Sequence, residues 1–148
     1  MKPVGLLAIM WLLAGCDQWA VTPEDISGQP IIGHWYYAER VREGDTAFFQ
    51  RLYLHVRGDG RVLYANLLCR TALDGGIDSH SRLVLEYMPI KRISVKTMVL
   101  QQFPLTPKFQ LKLGAWPDQG DGVFEVDGLP LEPITAEAAP DYSAWDCD

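Results

Sequence analysis

The chain has 148 residues and 16.6 kDa, of which 48% are hydrophobic and 22% charged, with a net charge of −6 and a pI near 5.0. This is ordinary globular usage, which excludes collagen-like, coiled-coil and wholly disordered classes. The acidic balance excludes the dense basic face of a nucleic-acid binder.

Lys2 precedes an uncharged apolar run from Val4 to Ala14. The run has the length of a signal-peptide hydrophobic region and falls short of the ~20 residues of a bilayer-spanning helix. Directly after it, Leu13-Ala14-Gly15-Cys16 resembles the lipobox of bacterial lipoproteins. The resemblance implies that residues 1–15 are removed and that Cys16 carries a diacylglyceryl group on its sulfur. In many species its new amine also receives an acyl chain such as palmitate. One chain holds a protein marginally, whereas two or three hold it stably. The expected address is the bacterial envelope, facing the periplasm, with the membrane as partner through Cys16. Asp17 resembles the retention signal of enteric lipoproteins, which favours the inner membrane over the outer.

Residues 16–31, with Pro23, Gly28 and Pro30, read as a tether. From residue 32 to 135 the pattern is β-rich. Gly33 to Glu39 is the first predicted strand, and Phe48 to Val56 alternates Leu52, Leu54 and Val56 against Arg51, Tyr53 and His55. A period of two predicts one buried and one wet face. Arg57-Gly58-Asp59-Gly60 supplies a hairpin into Arg61 to Cys69. It also spells an integrin-type tripeptide, which the turn explains by itself. After Asp74-Gly75-Gly76 come Arg82 to Tyr87 and Ile90 to Leu100, divided at Pro89, with Ile93, Val95, Thr97 and Val99 expected on one face. Lys108 to Ala115, Val123 to Val126 and Leu129 to Ile134 follow, the last two joined by Asp127-Gly128. Residues 136–148 form an acidic, irregular tail.

About eight short strands joined mostly by tight turns predict an all-β antiparallel meander, either a small lipocalin-like barrel or a two-layer sandwich. Gly33-His34-Trp35 resembles the Gly-x-Trp signature of lipocalins, where the Trp plugs one end of the barrel. The chain has no room for the long lipocalin helix and lacks the later motifs of that family.

Removing Cys16 from the count leaves Cys69 and Cys147 in an oxidising compartment. A bridge between them would pin the tail to the domain. The alternative is two free thiols, with Cys69 buried as a small hydrophobe. No metal-ligand spacing involves a Cys or one of the three histidines, His34, His55 and His80. No phosphate loop or nucleophile elbow is present, and no nucleophile, base and orienter come together. The sequence therefore predicts no cofactor and no enzyme. It points to a non-enzymatic domain that takes a hydrophobic ligand or a protein partner of the envelope, or to an accessory lipoprotein of an envelope or secretion complex.

Charge is segregated along the chain. Lys91, Arg92, Lys96, Lys108 and Lys112 lie between Pro89 and Trp116 with no acid, and nine acids lie between Pro117 and Asp148 with no Lys or Arg. Lys96, Lys108 and Lys112 are candidates for a basic outer face that meets anionic headgroups or an acidic partner. Alternatively, the acidic tail folds over these strands and neutralises them.

Overall fold

The computed structural model describes residues 19–20, 26–72, 74, 76–118 and 122–147. Nine strands are present: β1 (Trp19–Ala20), β2 (Gly33–Glu43), β3 (Thr46–Val56), β4 (Arg61–Ala72), β5 (Ile77–Ile93), β6 (Thr97–Leu100), β7 (Phe109–Lys112), β8 (Phe124–Val126) and β9 (Leu129–Ile134). They form one antiparallel sheet in the order β7-β6-β5-β4-β3-β2-β9-β8, with β1 paired to the end of β5.

The two ends of this sheet meet. Leu113 bridges Val126, the Gly114 amide donates to the Glu125 carbonyl at 2.9 Å, and the Asp127 amide donates to the Lys112 carbonyl at 2.8 Å. The meander is therefore a nearly closed barrel. Asp127 strengthens the seam with its carboxylate, which accepts from the Lys112 amide (2.9 Å) and from the buried Tyr64 hydroxyl (3.1 Å). Its φ of 52°, followed by 80° at Gly128, is the left-handed pair that a tight two-residue hairpin needs.

Large apolar side chains fill the interior. Trp35, Leu52, Leu54, Met98, Leu100, Phe124 and Leu131 are all essentially inaccessible, and the Trp35 and Phe124 rings meet edge to face at 5.5 Å. Trp35 Nε1 donates to the Ile31 carbonyl at 2.8 Å, which ties the entering chain to this end of the barrel. Ile26 and Ile31 are fully buried as well and pack into the same core.

The strands depart from expectation in three ways. First, β5 runs unbroken through Pro89. Arg61, the first residue of β4, lies opposite Pro89, and Leu100 of β6 lies opposite Ile90, so the proline sits where β5 changes neighbours. Second, the Ile90–Leu100 segment is a hairpin. Ser94 closes its turn by accepting at Oγ from the amides of Lys96 (3.2 Å) and Thr97 (3.1 Å). The buried residues of this segment are consequently Ile90, Ile93, Ser94, Met98 and Leu100, while Val95 points to solvent. Third, β2 and β3 extend to a turn at Gly44-Asp45, which makes them longer than the alternation alone revealed.

The outer face of β3 is not wet. The tail lies over it as two short 3-10 turns, Ala136–Ala138 and Tyr142–Ala144. Trp145 packs there with Tyr53, Leu63, Ala65, Leu67 and Cys69 in a second apolar cluster outside the barrel. Cys69 and Cys147 are bonded at 2.03 Å.

Candidate functional site

β2 to β5 outrun the rest of the barrel. β9 covers the second edge of β2 only from His34 to Tyr36, and β6 covers β5 only from Ile90 to Ile93. The remaining lengths form a four-stranded arm. Among the described residues, Tyr37–Glu43 of β2 and Ser79–Tyr87 of β5 have no strand on their outer edges. Unpaired edges of this kind are templates for another chain.

The register decides what each face of the arm carries. Val41 lies opposite Phe48, Gln50 opposite Leu68, and Asn66 opposite Leu83. These residues continue the face that carries Leu54, Tyr64 and Leu85 inside the barrel, but past the point where other strands cover it. Val41, Leu68 and Leu83 are accordingly 38–40% exposed, and Arg70 reaches over the Phe48 ring at 5.9 Å. Polar groups step from this open face into the barrel. Gln50 Nε2 donates to Asn66 Oδ1 (3.4 Å), and Asn66 Nδ2 donates to the Tyr64 hydroxyl (3.2 Å). Burial, then the Asp127 carboxylate, pushes the Tyr64 phenol strongly up, so it remains a neutral donor.

The opposite face of the arm is covered by the tail over its part nearest the barrel, while Arg40, Arg42 and His80 beyond it are exposed. Arg51 lies between the Phe49 ring (4.6 Å) and the Trp145 ring (5.8 Å), with Arg40 on the same Phe49 at 5.2 Å. The Tyr142 hydroxyl donates to Glu86 (3.2 Å), and Arg82 donates to the Tyr142 carbonyl (3.2 Å). These cation–π contacts and hydrogen bonds hold the tail flat along the strands.

Next to the tail, the structure joins two histidines that sequence spacing kept apart. His34 and His55 are cross-strand partners whose rings stack at 3.8 Å and 14°. His34 Nδ1 shares a hydrogen bond with the Tyr53 hydroxyl (2.7 Å), and His55 Nδ1 shares one with Tyr87 (3.1 Å). Tyr87 reaches this position from a bulge in β5, where its φ is 50°. Burial lowers the His34 pKa. His55 is lowered by burial first, then by His34 and Arg57. Burial and the neighbouring Tyr87 and Tyr142 push Tyr53 up to about 12. The pair is a neutral stack. Among the described residues, no group of three or more His, Cys, Asp or Glu side chains could hold a metal ion.

Cys16 lies outside the described residues. Lys108 and Lys112 are exposed at the two ends of the β7 segment, and Lys96 is in the β5–β6 turn, where its carbonyl accepts from Leu113 at 2.7 Å. The tail does not cover them, because its contacts run to β2–β5. Among the described residues none of these three lysines pairs with an acid of the tail. Within the Arg57-Gly58-Asp59 turn the two charges pair with each other at 2.6 Å. Among the described residues, no helix is long and apolar enough to cross a membrane.

No family model, curated protein or solved structure matches the chain.

Proposed function

We propose that the protein is a lipid-anchored component of the bacterial envelope, held through Cys16 and facing the periplasm. In this reading its barrel is a non-enzymatic contact module that engages a protein partner along the open face and free edges of the β2–β5 arm. Asp17 favours the inner membrane. The observation that carries the contact role is the asymmetry of the arm: the tail packs on one face, while Val41, Phe48, Leu68 and Leu83 continue the core pattern onto the other, where the tail does not reach. Apolar and aromatic residues beside arginine are what protein interfaces concentrate. The interior favours this role over an enclosed hydrophobic ligand, since Trp35, Leu54, Met98, Leu100, Phe124 and Leu131 occupy it.

Photo-crosslinking in the native host tests the reading. A crosslinker at Leu68 or Leu83 is expected to capture one discrete protein, and a crosslinker at Gln110 on β7 is not. Equal capture from both faces sinks the arm as a docking site, and a lipid retained in native mass spectra of the folded domain restores the ligand reading. The anchor is tested separately by intact mass, where an unmodified Cys16 would end it.

A further inference from the structure

The β6–β7 loop holds Phe103 at 62% exposure and Leu105 at 103%, the two most exposed large apolar side chains among the described residues. Free chain ends expose such groups by default, but this loop is built. Buried Gln101 donates through Nε2 to the Thr106 carbonyl (2.9 Å), and its amide donates to the Pro89 carbonyl (3.1 Å). The Phe103 amide donates to Thr106 Oγ1 (3.1 Å), and that hydroxyl donates to the Phe103 carbonyl (2.5 Å). Leu105 adopts φ 67°, a left-handed conformation that is costly for a residue with a bulky side chain. No burial of its own side chain offsets that cost. The loop is fixed in a shape that turns Phe103 and Leu105 outward.

Its groove is lined by lysines and by no acid, while the Asp127 carboxylate stands at the backbone of Lys112, at the far end of β7. Lys91, Pro104, Leu105, Thr106 and Lys108 line one groove of about 500 Å³, and Lys112 lies farther along β7. None of these lysines forms an ion pair among the described residues. The entering chain pairs with β5 on the edge opposite β6, with Trp19 beside Ile93 and so level with Met98 of β6, at the other end of that strand from the loop.

We propose that this flank is a second membrane contact. Phe103 and Leu105 enter the interfacial layer of a bilayer while Lys91, Lys108 and Lys112 meet anionic headgroup phosphates. The orientation rests on the lipid anchor at Cys16; the loop chemistry does not. Membrane surfaces select this combination, apolar tips beside cations, and lysines near an anionic surface add to the attraction.

The test uses the mature chain from Cys16 to Asp148 with Cys16→Ser, secreted behind a cleavable signal so that it carries no lipid. Sedimentation with phosphatidylglycerol-containing vesicles is compared with phosphatidylcholine vesicles. Salt-sensitive binding to the anionic vesicles is expected, reduced about tenfold or more in the double variant Phe103→Ser, Leu105→Ser, and reduced also in Lys108→Glu. Neither apolar side chain packs in the core, so circular dichroism should show both variants folded. Wild-type protein left in the supernatant overturns the proposal, as does equal binding to both vesicle types or equal binding by the double variant. A protein cross-linked at position 103 without vesicle binding also overturns it and assigns the loop to a protein. Because the lipid is absent, failure here leaves the Cys16 anchor untouched, and an unmodified Cys16 in the host leaves the vesicle result untouched.

Discussion

The imidazoles of His34 and His55 lie face to face, 3.8 Å between centroids, each tied through Nδ1 to a tyrosine hydroxyl. Two cations cannot share that spacing cheaply, and both rings are also partly desolvated. Both pKa values therefore lie below the ordinary 6.5 in the folded protein, so the unfolded chain binds more protons as the solution is acidified.

The sign follows from linkage. The stabilisation is complete above about pH 6.5 and is lost as pH falls through the lowered folded values. Urea midpoints should fall between pH 7.5 and pH 5. The His34→Gln, His55→Gln double variant should show a shallower fall. Both rings are part-exposed, so the difference should stay below about 1 kcal/mol. An identical pH slope in the double variant would refute the assignment.

Cys147→Ser should release the tail. Cys69 and Cys147 are 78 residues apart, and removing a bridge of this kind typically costs about 2–4 kcal/mol. Trp145 should become solvated, with a red-shifted emission, while the barrel signal from Trp35 persists. Reductant should reproduce the effect in the wild type and add nothing to the variant.

Asp127→Ala should weaken the barrel seam. It removes the acceptor of both the Lys112 amide and the Tyr64 hydroxyl, leaving the buried phenol with Asn66 as donor but no acceptor for its own proton. The expected loss is about 2 kcal/mol, read from chemical denaturation. Asp127→Asn keeps an acceptor and tolerates the left-handed backbone, so it should lose much less.

Leu105→Gly should stabilise the fold by roughly 0.5–1 kcal/mol while abolishing half of the apolar loop tip. Glycine accepts φ 67° without strain, and the leucine side chain buries nothing. A destabilised variant would mean that Leu105 is held by contacts the structure does not contain.

The alternation of Leu52, Leu54 and Val56 and the Asp-Gly turns made the meander legible, because period and turn chemistry are local. Pairings set by register were not legible. His34 and His55 face each other only because the Gly44-Asp45 turn fixes which residues of β2 and β3 align. Ser94 closes a turn through its hydroxyl without the glycine or proline that marks turns in a sequence, so one predicted strand is two. Tyr87 reaches the histidines through a bulge, which shifts register without a compositional sign. The second apolar cluster was hidden for a similar reason. Trp145 and Cys147 belong to a tail whose composition reads as solvent-exposed, and only the Cys69 pairing placed it against β3 and β4.

β5 is one continuous strand of 17 residues, with the entering chain beside its last residues and the open arm at its first. At ~3.3 Å per residue it spans at most about 55 Å. It is a rigid spacer. Anything gripping the far end stands at a height above the tether that a residue count fixes, and a pull on either end travels along a single hydrogen-bonded backbone. Shortening the arm by two facing residues on each of its strands would lower that height by about 7 Å without disturbing the alternation of faces.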